Sequence, residues 1–185
     1  MGLTEQAYAL SESMLAEPLP RRWAHSLGVA KRAAGLRLIA GRDADVLEAA
    51  AVLHDVGYSP SIATTGFHPL DGARFLRDQE AFDDRVVRLV AHHSCALLEA
   101  EERGLRDDLV GEFELERPEL VDALIYCDMT TTPDGGHTTP AERLDEIVSR
   151  YGPDTIVGRF IQRAAPEIHA AAGRVDERMA TASTG

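Results

Sequence analysis

Apolar residues recur at helical spacing along almost the whole chain, and this period limits the fold more strongly than any other feature of the sequence. Such spacing places apolar side chains along one side of an α-helix. Alternation of apolar and polar residues, which would indicate β-strands, is nearly absent. Alanine and leucine dominate the apolar residues, and aromatic residues make up only 5% of the chain. The pattern therefore predicts an all-α fold.

Glycine and proline residues divide this pattern into separate helices. The predicted helices are 3–16, 21–40, 43–56, 69–79, 83–93, 117–129, 140–151 and 154–179. The stretch 94–116 has no clear period, and it is compatible with a helix followed by a loop that borders a site. A length of 185 residues is sufficient for one compact domain with a sizeable core, so we expect a single-domain helical bundle.

Charge and composition exclude several classes of function. A formal net charge of −12 repels polyanions, so extended nucleic-acid binding is not expected and a small ligand is favoured. No apolar run is long enough to span a bilayer, so a role in the membrane is not expected. Cys95 and Cys127 do not form a CxxC pair, and the first residues do not resemble a signal peptide, which predicts a cytoplasmic protein.

Ionisable side chains close the apolar faces of several predicted helices. A buried carboxylate without a partner costs several kcal/mol, and these faces carry too few basic residues to supply partners. A metal cation would satisfy all of these groups together. His25 shares a helix face with Val29, and His68 opens the helix that follows the His54-Asp55 pair. The residues that close apolar faces are His54 and Asp55 in 43–56, His92 and His93 in 83–93, and Asp128 in 117–129.

Each of these residues also has a purely structural interpretation. The dipole at a helix C-terminus favours His54 but opposes Asp55, so a helix end alone does not explain the pair. Asp128 could cap the Thr-rich loop that follows it, and His92 and His93 could form a polar helix end. His25 and His68 could be hydrogen-bonded core residues. His137 and His169 have no comparable context and are predicted to be surface residues.

The order of these residues resembles the HD-domain superfamily of metal-dependent phosphohydrolases. The resemblance covers roughly residues 20–150. It is carried by RRWAHSLGVA around His25, LHDVG around His54 and Asp55, and YCD ending at Asp128. HPLDGARFL and VRLVAHHS are similar to the additional histidine motifs of the two-metal members, which adds His68, His92 and His93.

This resemblance implies a helical bundle with residues 1–20 as a helix on the core, 21–151 as the metal-binding core, and 152–185 as a final helix and tail. It implies one or two divalent metal ions, with Asp55 bridging when two are bound, and catalytic roles for Asp55 and His54. Nitrogen and carboxylate ligands without thiolate suit iron, manganese, zinc, cobalt or nickel. The implied ligands are His25, His54, Asp55, His68, His92, His93 and Asp128. The implied reaction is hydrolysis of a small phosphate ester or nucleotide.

The chain departs from this family at the position of a substrate contact. Many relatives have a lysine shortly after His-Asp, where this chain has Val56-Gly57-Tyr58-Ser59. The Gly-Tyr-Pro signature of cyclic-dinucleotide phosphodiesterases does not follow His92-His93, so that activity is discounted. Candidate phosphate contacts are Lys31, Arg32 and Arg143, for each of which a solvated helix face is the alternative.

Two other functions remain open at the level of sequence. Some members of the same superfamily are di-iron oxygenases with a very similar ligand set, so the motifs do not separate oxygenation from hydrolysis. A catalytically silent regulatory domain could also keep a metal ion for stability, although a structural site would not need the additional histidines. The amphipathic final helix could pack on the bundle or on a second subunit, which leaves a homodimer open.

Overall fold

The computed structural model describes residues 2–79 and 81–183. In these residues there is no β-strand, and an isolated antiparallel bridge joins Thr131 to His137. The prediction of an all-α, single-domain fold is confirmed. The helices are α1 (Leu3–Leu15), α2 (Pro20–Gly35), α3 (Arg37–Ala40), α4 (Ala44–Leu53), α5 (His68–Asp78), α6 (Asp84–His92), α7 (Ala96–Arg103), α8 (Arg106–Glu112), α9 (Pro118–Met129), α10 (Pro140–Tyr151) and α11 (Ile156–Ala182).

Several helix ends follow local chemistry that is visible in the sequence. Proline occupies the first turn of α2, α9 and α10, where its missing N–H breaks no helical hydrogen bond. The Thr139 hydroxyl accepts a hydrogen bond from the Glu142 backbone N–H, and Glu142 accepts one from the Thr139 N–H, which together form a capping box. These signals explain why α10 begins where the sequence predicts it.

Two segments differ from the sequence-based expectation. The single helix predicted for 21–40 is interrupted at Leu36, which directly follows Gly35 and has non-helical backbone angles. Residues 94–116 contain the two helices α7 and α8 instead of one helix and a loop. Gly104 separates these helices with a left-handed φ of 71°, a conformation that glycine adopts without steric cost.

Two hydrophobic cores hold the helices together. The larger core surrounds α4, which packs against α1, α2, α6 and α9, and Ala49–Leu53 are fully buried in it. The smaller core lies between α9, α10 and α11 and includes Met129, Ile147 and Phe160. Because α11 packs on α7, α9 and α10, its apolar face is used within the bundle.

In 2–79 and 81–183, no helix combines the length and the apolar character that a bilayer crossing requires.

Candidate metal centre

His54 directly follows the last residue of the central helix α4, and its side chain is buried in the interior of the bundle. The Nδ1 atom of His54 lies 2.8 Å from the backbone carbonyl oxygen of Ala51, which can only accept a hydrogen bond. Nδ1 is therefore a protonated nitrogen, which leaves Nε2 as the ring nitrogen that can act as a ligand. That Nε2 is buried and has no hydrogen-bond partner among the described residues. A buried nitrogen with a free lone pair is what a metal ion requires of a histidine ligand.

His93 and His25 are oriented by backbone carbonyls in the same way. Nδ1 of His93 lies 2.7 Å from the Val90 oxygen, and Nδ1 of His25 lies 2.9 Å from the Thr132 oxygen. Each ring consequently directs Nε2 toward the interior. Such carbonyl contacts fix the tautomer and the ring orientation of metal-ligating histidines.

Two adjoining groups of donor atoms result from this arrangement. His25, His54 and Asp128 form the first group, and Asp55, His68 and His93 form the second. In each group the ligand atoms lie within 4.8 Å of one another. We call the six residues together the His-Asp cluster. Nitrogen and carboxylate oxygen without thiolate fit iron, manganese, zinc, cobalt or nickel, so the residues present suit the metals expected from the sequence.

Asp55 lies between the two groups. Its Oδ1 is 3.5 Å from Nε2 of His54 in the first group and 3.4 Å from Nε2 of His68 in the second. A carboxylate in this position can contribute an oxygen to a metal ion in either group. This geometry fits the bridging role that the family resemblance implies for Asp55.

His68 reaches the cluster because α5 begins at this residue and packs closely on the segment after Asp55. Gly57 permits the approach, since a Cβ atom there would lie 2.0 Å from the His68 carbonyl oxygen. The preceding loop is held by Asp71, whose carboxylate accepts hydrogen bonds from the backbone N–H groups of Thr64 and Thr65. The Nε2 atoms of His68 and His93 then face each other at 3.0 Å.

The charges in the cluster are set by burial and by close neighbours. Burial favours the neutral form of Asp55, but the neighbouring positive groups, of which Arg22 contributes most, together outweigh burial and hold the Asp55 pKa well below its usual value. Burial opposes protonation of His25, but the hydrogen bond to Asp128 and the charges of Asp128 and Asp55 together outweigh burial and raise the His25 pKa. Burial and the neighbouring His93 lower the pKa of His68. The cluster therefore presents ionised carboxylates together with at least one neutral imidazole.

The remaining predicted site residues are not part of the His-Asp cluster. His92 belongs to neither group found among the described residues, because its Nε2 faces the Phe113 carbonyl oxygen at 2.8 Å. Lys31 and Arg32 line a separate cavity with Gly135 and Gly136. Arg143 lines the cleft beside the cluster. His137 and His169 are exposed.

The residues that sequence analysis missed contact the ligand carboxylates. Arg22 donates a hydrogen bond to Asp55, and its guanidinium lies over the ring of Tyr58. Arg22 is one helical turn before His25, so helical spacing alone could have indicated it.

Ser94 is a second contact that the sequence did not reveal. Its hydroxyl donates a hydrogen bond to Oδ2 of Asp128. Ser94 and Cys95 both have left-handed backbone angles, which are uncommon for residues other than glycine. This turn directly after His93 brings Ser94 to Asp128, and no local motif predicts it.

A cleft opens from the His-Asp cluster toward α10 and α11. One wall contains five of the six cluster residues, all except His54, together with Arg22 and Tyr58. The opposite wall contains apolar side chains of the smaller core and the arginines of α10. The apolar residues of this wall are Met129, Ile147, Val157, Phe160 and Ile161. A small molecule could therefore contact the cluster at one end and an apolar or cationic surface at the other.

Comparison with known proteins agrees with this geometry. The chain matches no curated protein and no solved structure. The family model described as HD domain matches residues 22–129, which is more than half of the chain and contains all six residues of the His-Asp cluster. The chain therefore belongs to the HD-domain family.

Proposed function

We propose that this protein is a metal-dependent phosphohydrolase that acts on a small phosphate ester or nucleotide. The observation that supports it best is the orientation of His25, His54 and His93, whose Nδ1 atoms all face backbone carbonyl oxygens, so that their Nε2 atoms are left for the two groups of donor atoms. A site of two adjoining groups offers more donors than a four-ligand structural site needs.

The groups of the chain suggest a division of roles. His25, His54 and Asp128 would hold one divalent ion, His68 and His93 the other, and Asp55 would contribute to both. Such ions supply Lewis-acid activation of water and of the phosphoryl group. Arg22 and Ser94 fix the orientation of the two carboxylates, and the apolar wall of the cleft excludes bulk water from one side of the substrate.

The arginines of the cleft support the binding of a phosphorylated substrate. Arg22, Arg143 and Arg150 line the cleft, together with the carboxylates of Asp55, Glu99 and Asp128. Guanidinium groups near a metal site suit the binding of a phosphate.

Elemental analysis of the purified protein, combined with a screen for phosphate release in the presence of manganese, cobalt or nickel, tests the proposal. About two metal ions per chain with release of phosphate from esters or nucleotides is the expected result. Two irons with oxygen consumption and no phosphate release would instead identify an oxygenase. Absence of bound metal would remove the basis of the proposal.

Two variants compare the loss of a cluster residue with the loss of a surface residue. Asp55→Ala removes the carboxylate between the two groups, so metal content and turnover should fall together. His137→Ala is the control, because His137 is exposed and outside the cluster, and it should change neither. Full activity of Asp55→Ala would exclude Asp55 from the site.

A further inference from the structure

Helix α10 presents two arginines to the cleft from the side opposite the His-Asp cluster. Arg143 and Arg150 are two helical turns apart and therefore lie on one face of α10. Glu146 lies between them, accepts a hydrogen bond from Nη1 of Arg143, and has Oε1 3.3 Å from Nε of Arg150. One carboxylate thus balances two guanidinium groups. We call Arg143 and Arg150 the α10 arginine pair.

Arg143 is an unusual cation because it is almost completely buried. Its side chain is only 9% exposed. Its Nε is buried and finds no acceptor in the part of the chain that the structure describes. Buried donors in native proteins normally have a partner, so a donor without one beside a cleft points to an acceptor that arrives with a ligand.

The α10 arginine pair lies where two cavities meet. The cleft of the His-Asp cluster and a neighbouring cavity of 320 Å³ are both lined by Arg22, His25, Arg143 and Arg150. The neighbouring cavity continues past Arg21 to Pro18–Pro20 and Pro133. The space next to the cluster therefore extends beyond the size of a single phosphate.

The charged side chains in the described lining of the neighbouring cavity are all arginines. Its described lining contains four arginines and no carboxylate, in a chain whose net charge is −12. Arg21 is paired with Asp134 outside the cavity, and Arg22 is paired with Asp55. The α10 arginine pair, which shares Glu146, retains positive charge for a ligand. Planar guanidinium groups with several N–H donors match the oxygens of a phosphate.

We propose that the α10 arginine pair binds a second phosphate of the substrate, so that the substrate is a phosphate ester carrying one further phosphate. This inference rests on the proposed function. In the reaction, a water oxygen forms a bond to the phosphorus at the His-Asp cluster and the ester P–O bond breaks. The water proton goes to the leaving oxygen, and inorganic phosphate is released. The alcohol product keeps its second phosphate at Arg143 and Arg150.

The test uses two compounds that differ only in the second phosphate, adenosine 5′-monophosphate and adenosine 3′,5′-bisphosphate. Affinity is measured by isothermal titration calorimetry with the protein as purified, and phosphate release is measured from both compounds. The wild type should bind the bisphosphate at least about tenfold more tightly. Arg150→Met should abolish this preference, so that the ratio of the two affinities falls to about one.

Two further variants complete the design. Arg143→Met should abolish the preference as well, whereas Arg163→Met should keep it, because Arg163 pairs with Glu101 and Glu102 away from both cavities. Arg150→Met is the more informative of the two arginine variants. The Arg150 side chain is 32% exposed, so its replacement does not create a buried cavity. Thermal melting confirms that each variant is folded.

The possible outcomes separate this inference from the proposed function. Equal affinity of the wild type for both compounds, or a preference that survives Arg150→Met, would overturn the second-phosphate site. A preference that depends on Arg150 without phosphate release from either compound would support the site and contradict the proposed hydrolysis. Phosphate release with a preference that depends on Arg150 supports both.

Discussion

Arg22 donates a hydrogen bond through Nη1 to Oδ2 of Asp55 at 2.5 Å, and its guanidinium carbon lies 3.5 Å from the centre of the Tyr58 ring. Asp55 is only 3% exposed, so its carboxylate depends on neighbouring groups for a counter-charge. Arg22 contributes most to that counter-charge. Tyr58 in turn stacks on His68, with ring centres 3.9 Å apart. Arg22 therefore contacts the carboxylate of Asp55 directly, and through the ring of Tyr58 it also supports the ring of His68.

Replacement of Arg22 by Met should destabilise the metal-free protein strongly. The variant leaves the buried charge of Asp55 without its partner, which typically costs about 3–5 kcal/mol. Added divalent metal should recover more of this loss than it adds to the wild type, because the cation replaces Arg22 as the counter-charge. Urea unfolding with and without metal measures both quantities.

Arg21→Gln is the matched control for that experiment. Arg21 and its partner Asp134 are 62% and 70% exposed, and such surface pairs contribute about 0–1 kcal/mol. The two variants should therefore differ clearly in the free energy of unfolding. Equal stabilities would show that Arg22 is not needed to balance Asp55.

His92 and His93 should differ in their effect on metal content. His93→Ala removes an Nε2 that faces His68, so metal bound per chain should fall. His92→Ala should leave metal content unchanged and lower the free energy of unfolding by about 1–3 kcal/mol, because the buried Phe113 carbonyl loses its hydrogen bond. Elemental analysis and urea unfolding distinguish the two effects. Loss of metal in the His92 variant would require a different ligand set.

Gly57→Ala should disturb the second donor group through the backbone. The added Cβ would lie 2.0 Å from the His68 carbonyl oxygen and 2.7 Å from the Gly72 nitrogen, so α5 must move. We expect a destabilisation of about 1–3 kcal/mol and weaker metal binding. Gly173→Ala, with no described atom within 4 Å, should instead stabilise α11 by about 0.5–1 kcal/mol. Metal titration and thermal melting test this contrast.

Cys95 should be slow to react in the folded protein. Burial raises the pKa of its thiol to about 12, so the thiol is protonated at pH 8 and the nucleophilic thiolate is scarce. In urea its pKa should return to about 8.5, and alkylation should accelerate. Mass spectrometry after iodoacetamide treatment at pH 8 compares the two states. Equal rates in buffer and in urea would contradict this expectation.

Much of the fold and part of the site could be predicted from the sequence. Helical period located the long helices, and a proline or a capping box fixed several of their starts. His54 and Asp128 were recognisable because they close apolar faces of buried helices, where an ionisable group needs a partner. His25 and His68 depended on the family motifs, since neither has a local signal of its own.

Other features depended on tertiary structure. His92 and His93 are both buried, and helical period does not separate them because α6 ends at His92 and His93 has extended backbone angles. The ring of His93 turns toward the cluster for that reason. Arg150 and Ser94 come to the cleft from segments that are distant in sequence from His54. Lys31 and Arg32 are basic and follow His25 in the same helix, but they point to a different cavity.

The two hydrophobic cores support different walls of the cleft. All six cluster residues lie on or beside helices that contribute to the larger core, whereas Arg143, Arg150 and Phe160 belong to the α10–α11 hairpin that closes the smaller one. Substitutions in that hairpin can alter which molecule is accepted while the metal chemistry is preserved. Evolution and protein engineering can therefore vary selectivity and reactivity in this scaffold as nearly independent traits.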